Sequence, residues 1–169
     1  MVRPESPRRG ALITMNVLRE IKSQYGNKVE IVIFGVEKND PNFLKLSPNF
    51  DFINLEKQTS NQLALLFSGT DVFVDYSTYQ AMGLTAMEAM ACGVSVIVPK
   101  VGGAECFAQH KKNALVIDTE DYNECLSSIK YLIDEKSFRD KLQNQAVYDM
   151  ASYYPEKVAL NILNFLFNE

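Results

Sequence analysis

Histidine, cysteine and long apolar runs are scarce in this 169-residue sequence, and each scarcity removes a class of function. His110 is the only histidine, so a structural zinc site would need unusual ligands. A serine or cysteine nucleophile would have to work through that same residue. His110 sits in Gln109-His110-Lys111-Lys112-Asn113, a polar stretch that reads as a solvated turn. Cys92, Cys106 and Cys125 form an odd set without CxxC spacing, and they read as buried or half-buried free thiols of a reducing cytosol. No apolar run approaches the ~18 residues of a membrane span. Residues Met1 to Arg9 lack the apolar core of a secretory signal. A basic excess is missing too: 17 Lys plus Arg against 21 Asp plus Glu leave a net charge of −4. General nucleic-acid binding is thereby disfavoured, although a local basic cluster can still bind phosphate.

The remainder is globular, with 47% hydrophobic and 22% charged residues. No repeat, low-complexity tract or Gly/Ser linker divides it, so residues 1–169 read as a single domain. Short apolar runs alternate with helical periodicity. Ala11, Leu12, Met15, Leu18 and Ile21 predict a helix ending near Tyr25-Gly26. Strands are expected at 29–34, 51–55, 71–75, 94–98 and 114–117, the fourth buried on both faces and stopped by Pro99. Thr59-Ser60-Asn61-Gln62 fits a capping box, and Gly93 suits the left-handed end of a helix running through 86–91. A short helix after Gly103 and three more at about 121–134, 137–151 and 155–167 complete the chain, Pro155 fitting a first helical position.

Strands separated by helices imply parallel pairing with right-handed crossovers. The fold class is therefore α/β: a doubly wound, Rossmann-like parallel sheet closed by C-terminal helices. Such sheets bind ligands beyond the carboxyl ends of their strands, which singles out the loops after Phe34, Asp75 and Val98. Only Met1 and Val2 precede the arginine-bearing loop, where this architecture places a strand of about five residues. The sequence thus reads as the C-terminal half of a larger protein, its first strand cut short.

Three constellations could carry chemistry. Arg3-Pro4-Glu5-Ser6-Pro7-Arg8-Arg9-Gly10 sets three guanidiniums in a proline-stiffened loop before a helix start, where an anion is favoured. The alternative is an exposed basic tail. In the stretch from Asp75 to Gly93, Gly83 lets the amides of Leu84 and Thr85 approach a phosphate, and Glu88 is a lone carboxylate on an Ala/Met/Leu helix. Glu88 could grip a pair of sugar hydroxyls, or it could simply face solvent. Val98-Pro99-Lys100-Val101-Gly102-Gly103-Ala104-Glu105 is either a ligand loop over the same cleft or a plain Gly-rich turn.

Taken in order, these segments resemble the donor-binding half of a family-4-type glycosyltransferase with the GT-B fold. Arg3 followed by Arg9-Gly10 is similar to the family's basic pair, usually Arg then Lys. Asp71-Val72-Phe73-Val74 and Gly83-Leu84-Thr85-Ala86-Met87-Glu88-Ala89-Met90-Ala91-Cys92-Gly93 resemble its strand–loop–helix wording. Val101-Gly102-Gly103-Ala104-Glu105 resembles its Val-Gly-Gly-x-x-Glu region with the glutamate one place early. The resemblance implies a metal-independent enzyme without cofactor that moves sugar from a nucleoside diphosphate to a glycan or glycoconjugate acceptor with anomeric retention. It implies that Arg3 and Arg9 neutralise the pyrophosphate of the leaving group, while the amides of Gly83, Leu84 and Thr85 hold the distal phosphate. Glu88 would grip the ribose, and the base would lie near Leu55-Glu56-Lys57.

Gln80 stands where the family's Glu-x7-Glu motif has its first glutamate. A hydrogen-bonding tip is kept and a negative charge lost, which fits a different donor such as a deoxysugar, or a weakened transferase. The resemblance further implies a missing N-terminal domain that supplies the acceptor site and any membrane contact, a cytoplasmic location, and no transfer by this fragment unaided. Alternatives are a non-catalytic nucleotide-binding or regulatory module and a sugar-nucleotide epimerase of the same fold.

Overall fold

The computed structural model describes residues 1–167. Five strands, β1 (Val32–Ile33), β2 (Ile53–Asn54), β3 (Val72–Val74), β4 (Ser95–Pro99) and β5 (Leu115–Ile117), are all parallel. They form two hydrogen-bonded groups, β1-β2 and β3-β4-β5. Seven helices separate and follow them: α1 (Ala11–Tyr25), α2 (Pro41–Leu44), α3 (Ser60–Ser68), α4 (Leu84–Ala91), α5 (Tyr122–Asp134), α6 (Lys136–Met150) and α7 (Pro155–Phe167). The expected α/β class with a parallel sheet is the one observed.

β4 is buried on both faces, and residues of the strands alternate between two cores. Ile33, Ile97, Leu115 and Ile117 pack with Met15, Leu18 and Ile21 of α1 and Leu132 of α5. Phe34, Phe73, Val96 and Val98 pack on the other side with Phe67 of α3 and Ala89 and Met90 of α4. Phe34, Phe67 and Phe73 form a ring cluster with centroids 5.7–6.3 Å apart. Each fully buried side chain of this kind contributes about 1.5–3 kcal/mol.

Local chemistry sets the helix ends. Thr59 and Gln62 make the reciprocal capping box at α3, and Asp40 and Asp121 cap α2 and α5. Gly93, at φ +81°, follows α4 as expected, its N–H bonding the Met90 carbonyl at 3.0 Å.

Several expectations need correction. The strands are shorter than the apolar runs predict, above all β1, where pairing is limited to β2 and one bond from Val2 N–H to Phe34 O at 2.9 Å. β4 ends at Pro99 as expected, with Pro99 itself paired in register with Ile117. The segment after Gly102 is a 3-10 turn, Gly103–Cys106. Cys125 is buried, but Cys92 and Cys106 are exposed, since they follow a helix end and close a surface turn. The His110 expectation holds: it lies in an exposed turn, its Nδ1 accepting from the Val116 N–H at 3.1 Å. α7 buries none of its side chains, so the C-terminal closure of the domain is made by α5 and α6. Among the described residues no helix is long and apolar enough to cross a membrane.

Candidate functional site

The loop after β3 organises the carboxyl rim. The Asp75 carboxylate accepts from the Ser77 N–H at 3.1 Å, the Ser77 hydroxyl at 2.5 Å and the Gln80 amide at 2.5 Å. Ser77 O accepts from the Thr119 hydroxyl at 2.6 Å, and the buried Tyr76 hydroxyl donates to Cys125 O at 3.0 Å. Burial holds the Tyr76 phenol well above its ordinary pKa, so it remains a donor. The loop is fixed from beneath.

The arginine loop docks on this platform through backbone. Thr78 N–H donates to Arg8 O at 2.8 Å, and the Arg8 guanidinium donates to Tyr79 O at 3.2 Å. Contact is so close that a Cβ on Gly10 (φ +60°) would lie 1.8 Å from Tyr76 O. Glycine is therefore required at this crossing. Arg3 is exposed and Arg9 half-buried, and neither side chain makes a hydrogen bond or ion pair among the described residues. Partial burial lowers the Arg9 pKa from its ordinary value; the Asp75 charge opposes that shift, and Arg8 and Arg3 add to it. An always-charged guanidinium so placed gains from an incoming anion.

The glycine pair after β4 reaches the same platform. Gly103 N–H donates to Gln80 O at 2.7 Å, and Gln80 pairs with Gly102 in an isolated parallel bridge. A Cβ at Gly102 or Gly103 would sit 2.1 Å from Gln80 O or 1.9 Å from Ala81 O. Gln80 itself is buried, its side chain turned to Asp75. Gly83 (φ +84°) packs under the Phe107 ring and begins α4, with its carbonyl accepting from Ala86 and Met87. The first two amides of the helix, Leu84 and Thr85, are the ones that helix geometry leaves without an intrahelical acceptor. No side chain caps this end, and no acidic residue occupies its first turn.

The arginine loop, Gln80 and Gly83 thus share one rim, where the Asp75 carboxylate accepts from Gln80 and acts on Arg9 through its charge. Sequence reasoning missed Asp75 as a site residue; its position as the last polar residue of a strand followed by Ser77 was the available signal. Glu88 stands apart from Asp75. It is exposed on α4 with Leu84, one turn earlier, and no hydrogen bond or ion pair among the described residues links it to the arginines. Burial, then the Glu88 charge, raises the Cys92 thiol pKa, which places the carboxylate beside that residue. Leu55-Glu56-Lys57 lies at the carboxyl end of β2. Glu56 O accepts from Gly35 N–H at 2.7 Å, and Lys57 pairs with Glu37 at 3.0 Å.

Comparison with known proteins bears on what this rim belongs to. The sequence profile of the glycosyl transferases group 1 family matches residues 6–147. An uncharacterised glycosyltransferase of Methanocaldococcus jannaschii is 29% identical over 92 residues, 54% of this chain and 24% of that protein. The curated relatives are much longer, and the matches span only 18–26% of their length. The C-terminal domain of the group 1 protein LpcC from Francisella tularensis superposes with a TM-score of 0.75 at 19% identity, covering 88% of this chain and 81% of that one. HepE of Anabaena, solved with UDP-glucose, gives 0.74 at 21% identity over 93% of this chain and 44% of its own. The chain belongs to the glycosyl transferases group 1 family and has the fold of a C-terminal GT-B domain.

Proposed function

We propose that this chain is the donor-binding domain of a cytoplasmic, retaining glycosyltransferase that uses a nucleoside-diphosphate sugar and needs no metal. Arg3 and Arg9 neutralise the diphosphate, including the charge that develops on it as the glycosidic bond to the donor sugar breaks. The amides of Gly83, Leu84 and Thr85 take the distal phosphate at the start of α4. Gln80, bonded to Asp75, holds the loop beside the hydroxyls of the donor sugar, a hexose or deoxyhexose, and Glu88 accepts from the ribose. The base lies along Leu55-Glu56-Lys57. A glycan or glycoconjugate acceptor is supplied by the N-terminal half of the longer protein, so this chain alone transfers nothing.

The observation that carries the proposal is the backbone docking of Arg8 on Thr78, which sets two unpaired guanidiniums on the rim that also bears the start of α4. UDP is the first probe because HepE, which shares the fold, was solved with it. Isothermal titration of UDP into the chain tests the reading, with Arg3→Ala/Arg9→Ala as the decisive variant. Charge-assisted contacts of about 1.5–3 kcal/mol each predict a loss of about 10- to 150-fold per arginine. Unchanged affinity in the double variant sinks the phosphate assignment. Glu88→Ala should weaken UDP more than dUDP, since only the ribonucleotide has a 2′-hydroxyl; equal loss removes the ribose role.

A second reading, a nucleotide-binding module without catalysis, is favoured by the Gln80 position. Its amide is committed to Asp75, and a glutamate there would set two carboxylates against each other. Turnover of any UDP-, GDP- or dTDP-sugar by the longer protein with an acceptor decides for the enzyme.

A further inference from the structure

The two ends of the buried Gln80 amide are in different company. Its Nε2 donates to Asp75 Oδ2 at 2.5 Å, whereas its Oε1 has no hydrogen-bond partner among the described residues. Sealed side-chain polar atoms without a partner are confined, among those residues, to Asn54 Nδ2 and Arg139 Nε, so Oε1 is open to solvent. The side chain lies beside the start of α4, where a Cβ on Gly83 would be 3.5 Å from Gln80 Cγ. Its main chain is held by the bond from Gly103 N–H to Gln80 O.

Chemistry fixes which way round the amide sits. Ser77 gives Asp75 Oδ1 two donors, its N–H at 3.1 Å and its hydroxyl at 2.5 Å, and Oδ2 is left for Gln80. An ionised carboxylate only accepts, so the NH2 group must face Asp75 and the oxygen must face away. Turning the amide over would set Oε1 against Oδ2, two acceptors with no proton between them, in a side chain 7% exposed.

We propose that Asp75 is a positioning residue which, through Gln80, selects a neutral donor sugar over an acidic one. The proposal rests on the donor-site reading above. A sugar group at Gln80 meets an oxygen that can only accept, and a hydroxyl supplies the proton. A uronic-acid carboxylate has none to supply at neutral pH, and it meets the Asp75 charge behind the amide as well. Arg3 and Arg9 attract any anion, so rejection of an acidic sugar falls to the Asp75–Gln80 pair.

The test inverts the pair and then inverts it back. In Asp75→Asn the oxygen of the new amide stays with the Ser77 N–H, which can only donate, and its NH2 group takes the place of Oδ2. Gln80 must then turn over, accept with Oε1 and present its own NH2 group to the ligand. In Asp75→Asn/Gln80→Glu the new amide donates to the new carboxylate, whose other oxygen again offers only an acceptor. Isothermal titration with UDP-glucose and UDP-glucuronate gives the preference for the neutral sugar in each protein, and UDP alone reports the diphosphate site. Asp75→Asn should shift the preference toward UDP-glucuronate about tenfold or more, the size of one charge-assisted contact, and the double variant should return it. A preference that does not move, or moves and is not returned, overturns the inference, because a loop merely loosened weakens both sugars alike. NMR checks the amide without ligand: the Gln80 NH2 group should exchange slowly in the unsubstituted chain and fast in Asp75→Asn. Fast exchange in both also overturns the inference. UDP that fails to bind the unsubstituted chain refutes the donor-site reading itself, whereas UDP binding with an unmoved preference refutes this inference alone.

Discussion

Replacing Gly10 by alanine tests the coupling between the arginine loop and the platform. Gly10 is left-handed, at φ +60°, and a Cβ there would lie 1.8 Å from Tyr76 O, where ordinary contact begins near 3.4 Å. Loop and platform must therefore separate by about 1.6 Å, stretching the 2.8 Å bond between Thr78 N–H and Arg8 O. The left-handed conformation costs an alanine about 1–2 kcal/mol, and losing the bond costs about 0.5–1.5 more. A total near 2–3 kcal/mol corresponds to a drop in Tm of about 4–12 °C in a chain of this size. Gly26→Ala is the comparison, because Gly26 also has a positive φ (+55°, with ψ −126°) but nothing lies within 4 Å of its Cβ. It should show the conformational cost alone. Thermal unfolding gives both values, and UDP titration separates them further: Gly10→Ala moves Arg3 and Arg9 and weakens UDP at least tenfold, while Gly26→Ala leaves it unchanged. UDP affinity untouched by Gly10→Ala, or a Tm equal to that of the unsubstituted chain, would refute the coupling.

Thiol reactivity should follow burial and charge. Ellman's reagent at pH 8 should label the exposed Cys106 first and Cys92 more slowly, since burial and then Glu88 raise the Cys92 pKa. Cys125, buried and pushed up to about 12 chiefly by burial, should stay unlabelled until the protein unfolds; fast labelling of all three would contradict the packing of α5. Thr59→Ala removes the capping box of α3 and should cost about 1 kcal/mol in urea unfolding, with Thr59→Ser restoring most of it. If the two variants are equally stable, the cap contributes nothing.

Features that depend on near neighbours were legible before the structure. The capping box at 59–62, the left-handed Gly93 after α4 and the apolar period of α1 each depend on residues within one or two turns. Features set by distant partners were not. The length of β1 is set by its pairing with β2 over Val32 and Ile33, which those two residues do not themselves encode. Gly10, Gly102 and Gly103 looked like turn residues, yet their requirement comes from carbonyls of the 75–81 loop lying against them. Asp75 looked like the end of a strand; its weight in the site comes from Gln80, five residues on, and from an arginine loop some seventy residues earlier in the chain. Glu88 was chosen as the lone carboxylate of an apolar helix, and that argument fixes its helix but not the direction in which it points.

The capping pattern explains why cations tolerate the start of a helix, where the macrodipole disfavours them by about 0.3–1 kcal/mol each. α2, α3 and α5 have their first amides taken by Asp40, Thr59 and Asp121. α1 and α4 instead begin at left-handed glycines, with no capping side chain and no acidic residue in the first turn. Both of these uncapped ends belong to the rim, and the arginine loop is held there by the main-chain bond from Thr78 to Arg8 and the Arg8 bond to Tyr79 O rather than by a carboxylate salt bridge. Asp75, whose charge acts on Arg9, already has its oxygens engaged by Ser77 and Gln80. Positive potential is thereby kept in place without being neutralised within the protein, an arrangement that supports a ligand carrying two or more negative charges. It also gives a glutamine at position 80 a physical sense: a second carboxylate beside Asp75 would reduce that potential, whereas an amide holds the loop without adding negative charge.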